Sequence, residues 1–329
     1  MIGMSWGGGE GRRPLAPTRA EVFDRYILSK GSPMIDKLEM FIALAREEHF
    51  GRAATAQGVT QPTLSAAIKQ LEDQLGVMLV WRGSRYQGLT PEGQRALDWA
   101  RRIVGDARSL RQEMRVAREG LSGDLRLAVI PTALTVVSDL TAGYGDAHPN
   151  VRFTVQSKTS TEILSMLENL EIDAGLTYLD NEPLGRVTTV PLYAERYVLV
   201  AKSGHPLLKG PVKWADLAGV PLCLLTPDMQ NRRIINQHLS EAGVQVAPQI
   251  ESTSVVVLVS HVLRSNWATI LPVRAAEIFL NGDDLGSVPL IKPDASHVVG
   301  LVAPHREPFT PVLAALLDRA KAVSELGKA

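Results

Sequence analysis

The sequence predicts an α/β protein in two parts: an N-terminal all-α winged helix-turn-helix, then a two-lobed α/β domain reached through a long linker helix. Three observations carry this prediction. Apolar residues between Ile35 and Leu75 recur at helical spacing around a glycine turn. Between Ala100 and Leu121 they recur in alternating steps of three and four. Beyond Gly123, short apolar runs alternate with helical patterns, the mark of a mainly parallel sheet. The chain of 329 residues is long enough for two or three cores.

Composition narrows the functional classes. Lysine plus arginine number 35, as do aspartate plus glutamate, so the chain has no net charge. A nucleic-acid binder is usually basic, but a whole-chain average says little if one small module makes the contact. No run approaches the ~18 uninterrupted apolar residues of a membrane span, and a membrane is not among the expected partners. The single cysteine, Cys223, cannot close a disulfide within the chain. Nothing points to an oxidising compartment, and the expected localisation is cytoplasmic. Cys223 lies in the apolar run Pro221-Leu222-Cys223-Leu224-Leu225 and reads as a buried strand residue. A redox sensor needs an accessible, activated thiolate and often a second cysteine.

Residues 1–33 stand apart. Gly7-Gly8-Gly9-Glu10-Gly11-Arg12-Arg13-Pro14 has too little apolar content to offset its ordering entropy. It also lacks the apolar core and cleavage site of a signal peptide. A disordered extension is expected there, with Met34 as the natural start; a genuine disordered arm is the alternative.

Residues 34–93 are expected to form the winged helix-turn-helix. Ile35, Leu38, Phe41, Ile42 and Ala45 mark a first helix, and Arg52–Gln57 fits a short second one ending at Gly58. Thr60 can cap the third helix, with Pro62 in its first turn, where a missing N–H costs nothing. Leu64, Ile68, Leu71 and Leu75 then make one buried stripe, which leaves Pro62, Ser65, Ala66, Lys69 and Asp73 on the opposite face, flanked by Thr63 and Gln70, with Ser65 and Gln61 expected to read bases. Small residues let such a helix sink into a major groove. Gln and Ser or Thr can bond base edges, and Ala66 can pack on a thymine methyl. Val77–Arg82 and Gln87–Thr90 read as a wing hairpin, and Lys69, Arg82 and Arg85 would neutralise phosphates. Four basic and two acidic residues between Arg52 and Arg85 give a modest local +2. An ordinary three-helix packing unit is the competing reading.

Residues 94–122 are expected to be the linker helix. Ala100, Ile103, Ala107, Leu110, Met114, Ala117 and Leu121 form a heptad seam, which implies dimerisation. The alternative is a helix lying on its own domain. At ~1.5 Å per residue, about 30 residues would span roughly 45 Å.

Residues 123–329 are expected to form the effector-binding domain. Predicted strands at 125–130, 151–156 and 172–178 alternate with helices at 134–148 and 161–170. A second set follows: strands at 197–201, 222–225 and 269–271, and helices at 232–242 and 255–263. The first lobe is placed at about 123–195 and 275–329, the second at about 196–274. Two lobes in series suggest a ligand cleft at the carboxyl ends of the strands.

No enzyme is expected. The chain carries no G-x-S-x-G, Walker A, G-x-G-x-x-G or H-E-x-x-H motif. Its seven histidines show no zinc-like spacing, and neither a cofactor nor a metal is expected. Asp173 is a tempting carboxylate but reads as structural. The alternative function is a two-lobed small-molecule-binding protein or enzyme in which the helix-turn-helix serves only as a structural or interaction module.

The run Phe50-Gly51-Arg52-Ala53-Ala54, Val59-Thr60-Gln61-Pro62-Thr63-Leu64-Ser65, Ile68-Lys69-Gln70-Leu71-Glu72, Leu75-Gly76-Val77-Met78-Leu79, Arg82 and Leu89-Thr90-Pro91-Glu92-Gly93 resembles the N-terminal signature of the LysR-type transcriptional regulators. Gly123-Asp124-Leu125-Arg126-Leu127, His148-Pro149, Ile172-Asp173-Ala174-Gly175, His205-Pro206-Leu207 and Ile270-Leu271-Pro272 extend the likeness to about residue 320. The resemblance implies a type 2 periplasmic-binding-protein-like effector domain and a homodimer or homotetramer that bends promoter DNA carrying a T-N11-A type element. A small-molecule effector and RNA polymerase would be further partners.

Carried over by match, the effector-binding positions are Thr132, Ser160, Thr226, Thr253, Pro272 and Val273. Hydroxyls and helix N-termini without a committed acid suit an anion. Asn231, Arg232 and Arg233 either add charge there or form a solvated basic helix end. Ala66 stands where the family often has arginine, Val80-Trp81 replaces a phenylalanine-containing pair, and Ser265 and Trp267 replace glycines. Trp267 would either shrink the pocket or fill core. The expected effector is a small carboxylate such as formate, on that crowding and on a likeness of Leu225–Ile235 to regulators beside formate-oxidation genes.

Overall fold

The computed structural model describes residues 34–81, 83 and 86–324. It forms two compact units that part between Val104 and Gly105. The extension expected over residues 1–33 and the wing arginines Arg82 and Arg85 lie outside the described residues.

In the first unit, α1 (Met34–Glu47) buries Leu38, Phe41 and Ile42. The imidazole of His49 accepts from the Gly51 and Arg52 N–H groups and so caps α2 (Phe50–Gln57). That helix stops at Gly58, whose φ of 67° is left-handed and suits glycine. Thr60 caps α3 (Gln61–Leu75) by accepting from the Thr63 N–H, and Pro62 sits in the first turn. The buried stripe is Leu64, Ala67, Ile68 and Leu71. Leu75, expected to complete it, is 40% exposed. It lies on the last turn before the chain leaves the helix at Gly76, and it joins Met34, Val77 and Trp99 in lining a shallow apolar groove.

The wing hairpin is short. Val80 and Leu89 form one antiparallel bridge, flanked by hydrogen bonds from the Trp81 N–H to the Gly88 carbonyl and from the Thr90 N–H to the Leu79 carbonyl. The buried Glu72 carboxylate ties α3 to this hairpin by accepting from the Leu79 and Val80 N–H groups at 2.8 and 3.3 Å. Gly93 is needed because a Cβ there would lie 2.0 Å from the Leu79 carbonyl oxygen. The Thr90 hydroxyl accepts from the Gly93 N–H at 2.9 Å and starts α4 (Pro91–Glu119).

The second unit is built on two sheets. In the first, β1 (Gly123–Val129) lies parallel to β2 (Val151–Ser157) and β3 (Ala174–Tyr178). The sheet continues through strands 297–304 and 187–195, both absent from the predicted strands. We number the latter β4 (Val187–Glu195). The second sheet contains β5 (Tyr197–Lys202), β6 (Val212–Lys213), β7 (Leu222–Leu225), β8 (Ile250–Ser252), β9 (Ala268–Pro272) and β10 (Leu285–Ile291). The strand at 297–304 is β11 (His297–Pro304). Strand order is β2-β1-β3-β11-β4 in one sheet and β6-β10-β5-β9-β7-β8 in the other.

Helices α5 (Val137–Ala147), α6 (Ser160–Glu168), α7 (Gln230–Glu241), α8 (Val255–Arg264), α9 (Val273–Glu277) and α10 (Pro311–Val323) complete the unit. The lobe boundary drawn at residue 275 needs correction. β10 pairs antiparallel with β5, so it belongs to the second sheet. The chain therefore passes between sheets at Arg196 and again between Ile291 and His297. The helix expected from residue 134 is also shorter, since a 3-10 turn at Pro131–Ala133 precedes α5.

Candidate nucleic-acid interface and effector cleft

The third helix of the first unit has two chemically distinct faces. Its apolar stripe is buried, whereas Gln61, Pro62, Ser65, Ala66, Lys69 and Gln70 are exposed. No exposed side chain on its first two turns is bulkier than glutamine, so the backbone there can approach a surface closely. Thr63 does not belong to this face. It is buried, and its hydroxyl is committed to that of Thr60 at 2.9 Å. A threonine beside the cap is drawn inward by that bond, which spacing alone does not reveal.

The linker helix α4 carries apolar side chains that are exposed among the described residues. Trp99 is 62% exposed, Leu110 59% and Met114 55%, with Ile103 also exposed. Ala107 and Leu121 are half-buried and Ala117 exposed. Ala100, assigned to the seam by its spacing, is fully buried within the first unit. The exposed heptad position is its neighbour Trp99. A step of three back from Ile103 keeps the alternation and lands on Ala100, but the packing of the first unit buries that residue and leaves Trp99, a step of four back, exposed.

In the second unit, a cleft of about 550 Å³ opens at the carboxyl ends of β2, β7 and β8, as expected for sheets of this kind. Thr135, Lys158, Thr159, Thr253 and Ser254 supply polar groups, and Leu134, Met229, Val256 and Phe279 supply apolar walls. Of the predicted effector residues, Thr253 is on this lining. Thr132, Ser160 and Thr226 have buried hydroxyl oxygens with no partner among the described residues, as does Thr135. Buried polar groups are nearly always satisfied, so such oxygens invite a ligand or water.

Several expectations for this region are corrected. Trp267 packs at the edge of a second apolar cluster and stacks on His261, with centroids 6.2 Å apart and planes 6° off parallel; the aromatic residue on the cleft wall is Phe279. Pro272 is buried at the end of β9, and the Val273 N–H is spent on the Arg196 carbonyl, so the next turn of α9 reaches the cleft instead, through Ala275. The cleft was also expected to hold no acid, but Glu162 and Asp228 both line it. Glu162 completes a capping box on α6, accepting from the Thr159 N–H at 2.8 Å. Burial pushes its carboxyl up, but the Thr159 hydrogen bonds and the Lys158 charge outweigh this and hold it below its ordinary value.

The basic start of α7 is structural. Arg232 is buried and bonds the Leu225 carbonyl and Glu251, and Arg233 pairs in two-pronged fashion with Glu182 at 2.6 and 2.8 Å. Asn231 donates to the Tyr178 hydroxyl at 3.0 Å and so links α7 to the first sheet. Tyr178 and Tyr193 in turn donate to the buried carboxylate of Glu195, at the point where the chain changes sheets. Burial pushes the Glu195 carboxyl up, the tyrosine bonds pull it down and Asp180 raises it again; the result is about 8. Sequence reading missed this cluster because its members lie on three separate segments.

Cys223 is fully buried in β7, and burial pushes its thiol up to about 11. Asp173 is structural: it accepts from the backbone N–H and the guanidinium of Arg126.

The family model described as LysR substrate binding domain matches residues 118–325, and that described as bacterial regulatory helix-turn-helix protein, lysR family, matches residues 35–94. A probable hydrogen peroxide-inducible genes activator of Mycobacterium avium is 32% identical over 273 residues, 82% of this chain and 88% of that protein. The DNA-binding transcriptional dual regulator OxyR of Escherichia coli (strain K12) is 31% identical over 270 residues, with the same 82% and 88% coverage. A full-length OxyR variant from Pseudomonas aeruginosa has a similar fold, with a TM-score of 0.69 at 24% identity over 89% of this chain and 97% of that one. Full-length CbnR complexed with its target DNA has a TM-score of 0.56 at 20% identity, covering 88% of this chain and 99% of that one.

Proposed function

Since this chain belongs to the LysR family of bacterial transcriptional regulators, we propose that it reads promoter DNA through α3, pairs with a second copy through α4, and changes its hold on DNA when an organic metabolite enters the cleft. The observation that carries this reading is the two-faced α3, with its small polar face backed by a fully buried stripe. Gln61 and Ser65 are the base readers, Ala66 packs on a thymine methyl, Pro62 shapes the helix start, and Lys69 holds a phosphate. Promoter elements of the T-N11-A type are the expected sites, and dimers joining into a tetramer would span two of them. The protein acts as a cytoplasmic regulator and not as an enzyme.

The effector is read differently from the formate that sequence alone suggested. A cleft of about 550 Å³ lies within the range of sites that enclose a whole metabolite. Lys158 is already paired with Glu162 at 3.5 Å and Asp228 adds a second carboxylate, so the cleft has no surplus of positive charge, and with its apolar walls it suits a zwitterionic or neutral molecule with an apolar body better than a bare small acid. Hydroxyls at Thr253 and Thr135 on the lining supply hydrogen bonds, and Thr132, Ser160 and Thr226 carry further buried hydroxyls.

Seven similar proteins bear names that refer to hydrogen peroxide. Peroxide sensing through a thiol needs a reactive thiolate, and this chain has one cysteine, buried and with a raised pKa. A ligand in the cleft is therefore the better-supported signal.

The test is a melting-temperature screen of the full chain against formate, benzoate and the common amino acids. Any compound that stabilises it is then tested for a changed footprint on promoter DNA. The reading expects stabilisation by compounds larger than formate, and loss of that effect in Thr253→Val and Phe279→Ala. Stabilisation by formate alone, or unchanged responses in both variants, would overturn it.

A further inference from the structure

A second cavity, of about 240 Å³, lies where the last turns of α4 meet the first sheet. Its lining carries five guanidinium groups: Arg108, Arg111 and Arg115 on one face of α4, Arg126 on β1, and Arg306 just after β11. Only two carboxylates, Asp124 and Asp173, line the same space. Asp173 is committed to Arg126, whose guanidinium it meets at 2.9 and 3.2 Å. The lining is therefore strongly positive, inside a chain whose overall charge is zero.

Arg306 is the least expected member. Its Nε and Nη1 are buried and have no hydrogen-bond partner among the described residues. Burial lowers its pKa, and the nearby carboxylates of Asp106 and Asp173 only partly offset that. A place is kept for it: a Cβ on Gly105 would fall 1.9 Å from its Nη1, so glycine at that position lets the guanidinium lie against the helix backbone. Burying guanidinium N–H groups without partners is costly, and arginine's planar fork matches the oxygens of phosphate in pairs. The volume admits phosphate with a short organic group attached.

We propose that this cavity is a phosphate site, filled by inorganic phosphate or by the phosphate of a small ester, with Arg306, Arg111 and Arg115 as its ligands. It is separate from the effector cleft and does not depend on the reading of that cleft.

The experiment is isothermal titration of the full-length protein, without DNA, with inorganic phosphate and with glycerol 3-phosphate, at ionic strength held constant with chloride. One saturable site per chain is expected. Arg306→Gln should weaken it by about tenfold, equivalent to the loss of one charge-assisted pair. Arg111→Gln and Arg115→Gln should each weaken it several-fold and serve if the Arg306 variant fails to fold. Lys69→Gln, on α3, should leave it unchanged. Tighter binding of the ester supports a phosphorylated metabolite, and equal binding supports free phosphate. No saturation in the tens of millimolar, or wild-type affinity in Arg111→Gln and Arg115→Gln, would overturn the proposal. So would a phosphate titration abolished by Lys69→Gln, which would place the ion at the DNA-reading helix.

Discussion

At the scale of single residues, Cys223 gives the sharpest expectation. Its sulfur is enclosed by the second sheet and its thiol is held well above neutral pH, so almost none of it is thiolate under ordinary conditions. Cys223→Ser should therefore keep DNA binding and its response to a cleft ligand. Micromolar hydrogen peroxide should leave the footprint of the wild-type protein unchanged. A peroxide-dependent footprint that disappears in Cys223→Ser would contradict this. Residues of this kind were legible in sequence, since a cysteine inside an uninterrupted apolar run reads as core. Trp267 was not. Its place in the sequence matched a position near the cleft, but the direction of its ring is set by His261 and the second apolar cluster. Thr63 was misplaced for a similar reason, because a capping bond turned its hydroxyl inward.

At the scale of elements, helices with caps were the most readable. Thr60, Gly58 and Gly76 mark their ends by local chemistry alone. The strands 187–195, 285–291 and 297–304 escaped, because each acquires its meaning from a distant partner. β10 moreover contains Pro289, which demotes a strand pattern read in isolation. The exposed face of α4 belongs to the same class of feature, since nothing among the described residues covers it. Leu110→Glu with Met114→Glu should dissociate the dimer, because pairing would bury two charges at a cost of several kcal/mol. Both side chains are more than half exposed in a single chain, so its helical content should not change. Sedimentation velocity reads the outcome directly. An unchanged sedimentation coefficient would remove α4 from the interface.

At the scale of the whole molecule, the crossing between the two sheets rests on the buried Glu195, which draws on Tyr178, Tyr193 and, through Tyr178, on Asn231 of α7. Its carboxyl is pushed up to about 8 by burial. A group of raised pKa holds its proton in the folded state after the unfolded chain has released it. The stabilising contribution is complete below the ordinary carboxyl range and is lost as pH rises toward 8. The slope cannot exceed about 1.4 kcal/mol per pH unit. Glu195→Gln removes that titration, so the variant should gain stability relative to wild type between pH 5 and pH 8, as measured by urea unfolding. His238, whose pKa is lowered by burial and by His297, titrates in both proteins and cancels in the comparison. A constant difference across that range would show that Glu195 is ionised throughout.

The central claim is that α3 reads DNA, and one measurement addresses it most directly. Fluorescence anisotropy would compare a duplex carrying a T-N11-A element with a scrambled duplex of equal length, for wild type, Lys69→Ala and Ser65→Trp. Ser65 is exposed, as is Ala66 beside it, so an indole there should leave folding intact but hold the helix out of the groove. The account predicts that wild type prefers the T-N11-A duplex and that Ser65→Trp loses the preference. Lys69→Ala should weaken both duplexes alike and reduce the salt slope by about one unit. If Ser65→Trp separates the two duplexes as well as wild type does, α3 is not the reading helix.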